Sequence, residues 1–440
     1  MKDLNKVFIL ILNSLILFTF TACSNFKDTS SKRGENKVIN IEGFASDNYL
    51  EAVAREFEKN NPGIKINIKE HLPKNRKDLD KKAYDESKDK FTRSINTELM
   101  AGGGPDIILC DSWRLPYQEY INKGLLVDLN KLIENDREFN KDEYYMNIFK
   151  GIEYREGLYT LPTDIDFGLL RGAKDIKVDD KNWTWEDFYD LGKNKNENDY
   201  VVEYSSTRVF AAIFGDTYED FVNENKKSVN FDSEEFINLL KYSKKISDDK
   251  VILSPSEKSK YPKANIYFEN EIYYETSVAS KELLAKYDDK RIYREPSGNG
   301  KVNFRPGHSY AMNNNSKNKD IAWKFMKFLI SSEMQSSPNN YLLPVNKIAF
   351  EEKIKKEHNE YIKDIEKDEL DKDKAINTFD EITEIKRERM LNANKYVHSN
   401  RVINDIVFKE IETYFSGKKS AEEVAKNIQK KVLMYLNEQY

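Results

Sequence analysis

Ala101-Gly102-Gly103-Gly104-Pro105-Asp106-Ile107-Ile108-Leu109-Cys110-Asp111-Ser112-Trp113 reads as a helix end, a glycine turn, a short buried strand and a polar, aromatic tip. Phe91, Ile95 and Leu99 precede it at helical spacing. The glycines stop that helix, and Pro105 prevents it from resuming. Ile107 to Cys110 is a continuous apolar run, the pattern of a strand covered on both faces of an α/β sheet. Asp111, Ser112 and Trp113 follow at its carboxyl end, where open α/β sheets take their ligands. A carboxylate, a hydroxyl and a flat indole suit a polyhydroxylated molecule. A nucleotide loop is excluded by order: phosphate-cradling glycines follow a strand and open a helix, whereas these follow a helix and precede a strand.

Upstream, residues 38–44 alternate like a first strand, Leu50, Val53, Ala54 and Phe57 lie on one helix face, and Ile64, Ile66 and Ile68 alternate as a second strand. This βαβ beginning predicts a parallel sheet. The highly charged stretch 71–89 reads as a solvated loop. Downstream, Tyr117 to Gly124 predicts a helix, residues 157–164 a turn and an extended segment, and Thr184 an N-cap with acidic residues after it. Residues 263–277 alternate like strands, 296–306 read as loop, 309–312 as a short strand and 319–329 as an amphipathic helix. From residue 364 onward the chain reads as mostly helix, with Ser420 to Glu423 matching a capping box.

With 440 residues, Lys+Arg 71 against Asp+Glu 76 and a net charge of -5, the chain has length for two lobes and no basic surplus that would suggest nucleic acid. Lys2 and Lys6, the apolar segment Val7 to Phe20, and Thr21-Ala22-Cys23 form a secretory signal. Residues 25–36, rich in Ser, Lys and Asn, read as a tether. Cys23 and Cys110 are the only cysteines; Cys110, inside an apolar run, reads as a small core residue.

Taken together these segments resemble the extracellular solute-binding proteins of bacterial ABC importers, the carbohydrate-binding class related to maltose-binding protein. The matching pieces lie in family order: Phe57 to Ile64, Ala101 to Asp106, Tyr120 to Leu129, Gly157 to Pro162, Trp183 to Phe188, Pro306 to Met312 with the helix to Leu329, and Gly417 to Val432. Cys23 after small residues resembles the bacterial lipoprotein box, which implies cleavage before it and lipid attachment to it.

The resemblance implies an α/β, two-lobed periplasmic-binding-protein-like fold of class II type, each lobe a mainly parallel sheet flanked by helices and joined by hinge crossovers. Its expected organisation is a signal peptide at 1–22, a lipidated tether at 23–36, a first lobe of 37–162 with 305–344 and a second of 163–304 with 345–440, crossed near 162–166, 303–307 and 343–346. It implies a monomeric receptor on the extracellular face of a Gram-positive membrane, anchored through Cys23. The receptor closes on a sugar or oligosaccharide and docks on the ABC permease. No enzymatic activity, metal or cofactor is indicated.

Sugars are gripped by aromatic faces and by carboxylates or amides around their hydroxyls. The candidate ligand-binding residues are Ser46 and Asp47 after the first strand, Asp111 and Trp113 after the central one, and Tyr159, Asp164 and Asp166 at the first crossing. Tyr274, Glu275 and His308 complete the set. Arg294 and Glu295 read as a surface salt bridge, and Trp183, Trp185 and Trp323 as packing residues. Asp47, Asp164 and Asp166 have a second reading as helix caps or turn formers, and His308 as a structural histidine. Residues 164–168 lack the family's usual tyrosine-asparagine pair, and residues 275–277 its glycine-rich strand end. A receptor for a peptide or polyamine, a sensor or adhesin, and a secreted glycosidase therefore stand as alternatives.

Overall fold

A computed structural model describes residues 37–438 except 73–78, 111–114, 272–289, 298–301, 341, 369–371 and 397–399. In chain order the strands are β1 (Lys37–Gly43), β2 (Ile64–Glu70), β3 (Ile107–Cys110), β4 (Leu161–Asp166), β5 (Leu169–Ala173), β6 (Asp199–Val202), β7 (Val222–Asn223) and β8 (Ser228–Val229). They continue with β9 (Asn265–Glu271), β10 (Lys290–Arg294), β11 (Val302–Met312), β12 (Leu343–Pro344) and β13 (Ala393–Tyr396). A seven-stranded sheet runs β12-β4-β11-β3-β1-β2, with β13 on β11; a four-stranded sheet runs β10-β5-β9-β6; β7 and β8 form a hairpin.

All four residues of β3 are buried, and alternation sends them to two different cores. Ile107 and Leu109 join Ile39, Ile41, Val53, Phe57 and Phe325 on one face. Ile108 and Cys110 join Phe44, Phe91, Ile95 and Leu99 on the other. The strand is covered on both sides because helices from different parts of the chain pack on each. Gly102 and Gly104 adopt φ of +76° and +98°, the left-handed region that ends the helix Lys81–Met100. That helix begins at Lys81, capped by Asp80, so the charged stretch read as loop to residue 89 is helical in its second half.

The α/β expectation holds, with mixed rather than mainly parallel pairing. β1 and β3 are parallel, but β11 is antiparallel to both β3 and β4. In the second sheet β5 pairs antiparallel with β9 and β10, and β6 parallel with β9. β11 is also longer than the short strand expected at 309–312. Register shifts between Pro306 and Ser309 take up the proline, which has no N–H to give the ladder. A further core under the second sheet contains Trp183, Trp185 and Phe188, and a mainly helical core joins Phe210, Phe214 and Phe231 to Val407 and Ile428. Trp323 is buried in the first core, so all three tryptophans read as packing residues do pack. The helices Lys347–Asp368 and Lys372–Asn392 bury Phe350, Tyr361, Phe379 and Met390 in the core of the first sheet.

Candidate functional site

The chain passes between its two sheets at two adjacent points: β4 runs through Phe167 and Gly168 into β5, and β10 leads back to β11. At this crossover Asp164 is almost wholly buried, 1% exposed. It accepts hydrogen bonds from the Thr163 hydroxyl at 2.7 Å and from the His308 main-chain N–H at 3.0 Å. The His308 ring nitrogen Nδ1 lies 3.0 Å from the same carboxylate, and Nε2 lies 3.2 Å from Asp47. Asp47 in turn caps the helix Asn48–Asn60, accepting from the Leu50 N–H at 2.8 Å. One imidazole therefore joins two carboxylates that stand far apart in sequence. Gly307 makes the approach possible, since a Cβ there would collide with Leu342 and with the Asp164 carboxylate.

Burial works against the His308 imidazolium, but the charge of Asp164, its hydrogen bond and the charge of Asp47 outweigh it and lift the pKa to about 9. The group is cationic at neutral pH. A folded-state pKa above the ordinary 6.5 stabilises the fold fully below pH 6.5, and that contribution is lost as pH rises through 9. Because 31% of the side chain faces solvent, the loss is expected to be on the order of 1–2 kcal/mol rather than the full linkage value. The thermal midpoint measured at pH 6 and at pH 9.5 should fall, and His308→Gln should flatten the difference.

Asp166, two residues along β4, lies 3.5 Å from Arg305. Burial raises its pKa to about 6, against the pull of Arg305 and with help from Asp164 and Glu295. Beside it opens a cavity of about 490 Å³ whose lining includes Gly168, Arg208, Arg294, Asn303 and Arg305. Glu295 accepts from the Tyr204 hydroxyl at 2.6 Å and pairs with Arg208. Arg294 pairs with Asp180 and Glu388, so Arg294 and Glu295 do not form the surface salt bridge expected of them. The Asn303 amide donates to Asp216. Arg208, Ala211, Ala212 and Asp216 line this cavity from one face of the helix Ser206–Phe221. Their helical spacing was the available signal, though sequence alone gave no reason to turn that face inward.

Of the residues singled out by sequence, Asp47, Asp164 and His308 come together, with Asp166 next to them. Ser46 donates its main-chain N–H to Glu70 at 2.9 Å. Tyr159 packs half-buried against the cluster of Phe44, Tyr120 and Leu126. Asp111, Trp113, Tyr274, Glu275 and Cys23 lie outside the described residues. On a separate contact, Arg401 at the start of the helix Arg401–Phe415 donates to the Thr92 hydroxyl of the helix Lys81–Met100 at 3.3 Å. Among the described residues no group of three or more His, Cys, Asp or Glu side chains is placed to hold a metal ion.

The sequence profile of the bacterial extracellular solute-binding proteins matches residues 43–336. Among solved structures, the sugar-binding protein MalE from the phytopathogen Xanthomonas citri has a TM-score of 0.62 at 15% identity, over 91% of this chain and 98% of that one. Maltose-bound MalE3 of T. maritima has a TM-score of 0.56 at 19% identity, over 90% and 99%. An ABC substrate-binding protein from Listeria monocytogenes in complex with cycloalternan has a TM-score of 0.55 at 16% identity, over 91% and 99%. At such identities the likeness is one of fold. No curated protein sequence matches the chain.

Proposed function

Because the chain belongs to the bacterial extracellular solute-binding protein family, we propose that it is the lipid-anchored receptor of an ABC importer, taking up a sugar or oligosaccharide between two lobes. Opening and closing about the crossover delivers the solute to the membrane permease. The family match carries this reading; the sugar-bound relatives in fold support the choice of solute. Cys23 is the proposed lipidation site, which would hold the protein on the outer face of the membrane. Ligand shifts the open–closed balance by binding the closed form more tightly.

The proposed lobes are those given by the sequence, except that the last transfer falls after residue 396. The shared burial of Phe350, Tyr361, Phe379 and Met390 with the first sheet supports the move. Asp111 and Trp113, after β3, are the proposed sugar-gripping pair, with Ser46, Asp47, Tyr159, Asp164, Asp166, Tyr274, Glu275 and His308 as further proposed contacts. The test is a thermal-shift screen of the purified protein against mono- and oligosaccharides, peptides and polyamines. A ligand at a hundred times its dissociation constant should add about 2.7 kcal/mol. Trp113→Ala should abolish that shift while leaving the unliganded midpoint in place. A response to peptides or polyamines alone would discard the sugar, and silence throughout would overturn the receptor reading.

A further inference from the structure

Arg389 is 6% exposed, near the end of the helix Lys372–Asn392, and lines the cavity at the crossover. Its three arginine neighbours there are matched: Arg208 by Glu295, Arg294 by Asp180 and Glu388, Arg305 by Asp166. Arg389 is not. Its Nε is buried without a hydrogen-bond partner. No carboxylate of the described residues stands within ion-pair reach of it. The Phe167 ring lies 5.0 Å from its guanidinium carbon, and the carboxylates of Glu295, Glu388 and Asp180, each engaged with another arginine, draw on it only from beyond ion-pair range.

A buried charge without a directly paired counter-ion costs several kcal/mol, and an arriving anion would offset that cost. A guanidinium presents a planar fork of donors that matches a carboxylate, sulfate or phosphate in two parallel hydrogen bonds. Burial and the like charge of Arg294 pull the Arg389 pKa down to about 10 against the more distant Glu295, Glu388 and Asp180, and an anion placed between the two cations would relieve both effects. Polar groups complete the lining, among them Asn182, Ser297 and Asn303.

Size separates the possible guests. Liquid water occupies about 30 Å³ per molecule, so a cavity of about 490 Å³ is far larger than one inorganic anion needs. It lies within the roughly 300–1,000 Å³ of ordinary small-molecule sites. We propose that this cavity is an anion site centred on Arg389, which receives the acidic group of the solute, so that the protein's ligand is a sugar carrying a carboxylate. The assignment deepens the receptor reading, on which it rests, and replaces a neutral oligosaccharide by an acidic one.

The test compares glucuronate with glucose as its neutral twin, and sodium sulfate with sodium chloride at matched ionic strength. Thermal shift and titration calorimetry are read on the full chain, on Arg389→Gln and on Arg389→Lys. Glucuronate should raise the midpoint saturably while glucose does not. Arg389→Gln should weaken glucuronate at least tenfold, and Arg389→Lys should keep part of the affinity. The unliganded midpoint of Arg389→Gln should stay level or rise, since an unmatched buried charge is gone.

A saturable, Arg389-dependent response to sulfate without one to glucuronate would overturn the acidic sugar and leave a free-anion site. A fall in the unliganded midpoint of Arg389→Gln with no Arg389-dependent response to either anion would make Arg389 a structural cation and end the proposal. Neutral oligosaccharides bound equally well by the full chain and by Arg389→Gln would also end it, while leaving the receptor reading intact. Loss of binding to every solute class is the separate result that would remove that reading.

Discussion

Replacing Asp164 by leucine is expected to destabilise the protein by about 3 kcal/mol, because it leaves the Thr163 hydroxyl and the His308 N–H without an acceptor and takes one counter-charge from a partly exposed imidazolium. The side chain is 1% exposed and serves the Thr163 hydroxyl, the His308 main-chain N–H and the His308 ring. Leucine removes the counter-charge and leaves an imidazolium facing Asp47 alone. His308 then loses the larger part of its cause for being charged, and the chain loses the fastening between its two crossing strands. Asp164→Asn keeps acceptors for the hydroxyl and the amide, so about half of the loss should return. Urea unfolding of Asp164→Leu, His308→Leu and the pair should give a coupling energy above about 1 kcal/mol, with an unchanged denaturant slope. Additive losses would mean that Asp164 and His308 act separately.

Asp106→Ala should cost about 3 kcal/mol, because it orphans donors from two distant parts of the chain at once. The carboxylate accepts from the Asn40 N–H at 2.9 Å, the Ser316 hydroxyl at 2.5 Å and the Asn318 amide at 3.3 Å. Its main-chain carbonyl accepts from the Asn313 N–H at 3.0 Å. The Asn313 side chain returns to the glycine turn, donating to Gly103 at 2.8 Å and to Pro105 at 3.0 Å. Asp106 thus ties β1, the start of β3 and the turn after β11 into one knot. Chemical denaturation measures the loss. Solute affinity in the surviving folded fraction should not change, because the knot lies at the start of β3 and the proposed sugar-gripping pair follows its other end in sequence. A loss below about 1 kcal/mol would show that water replaces those bonds freely.

The central strand was legible because four consecutive apolar residues leave one physical outcome, burial on both faces. The capping boxes were legible because they are local: Thr184 with Asp187, and Ser420 with Glu423, each close within three residues. Pro306-Gly307 misled for a reason that is also local. Both residues look like loop formers, and only the pairing of β11 with strands more than a hundred residues away shows that a bulge absorbs them. β13, four residues at the end of a long helix, has too little pattern to announce itself.

The site divides in the same way. Asp47, Asp164 and His308 were each suspected for their position at a strand end or crossing, yet nothing in the sequence says that one ring bridges two carboxylates, one of them 144 positions away. Arg389 was invisible. In a chain with 71 lysines and arginines, one more cation on a charged helix carries no signal until its burial is known.

Cys110 has a use beyond its place in the core. Burial pushes its thiol up to about 12, so almost none of it is thiolate at neutral pH and alkylating dyes will pass it by. Cysteines introduced at exposed positions such as Glu86 and Asp405, on the two helices that meet through Thr92 and Arg401, can be labelled with Cys110 left in place. A pair of fluorophores there turns the molecule into its own ruler, reading the separation of those helices as solute is added.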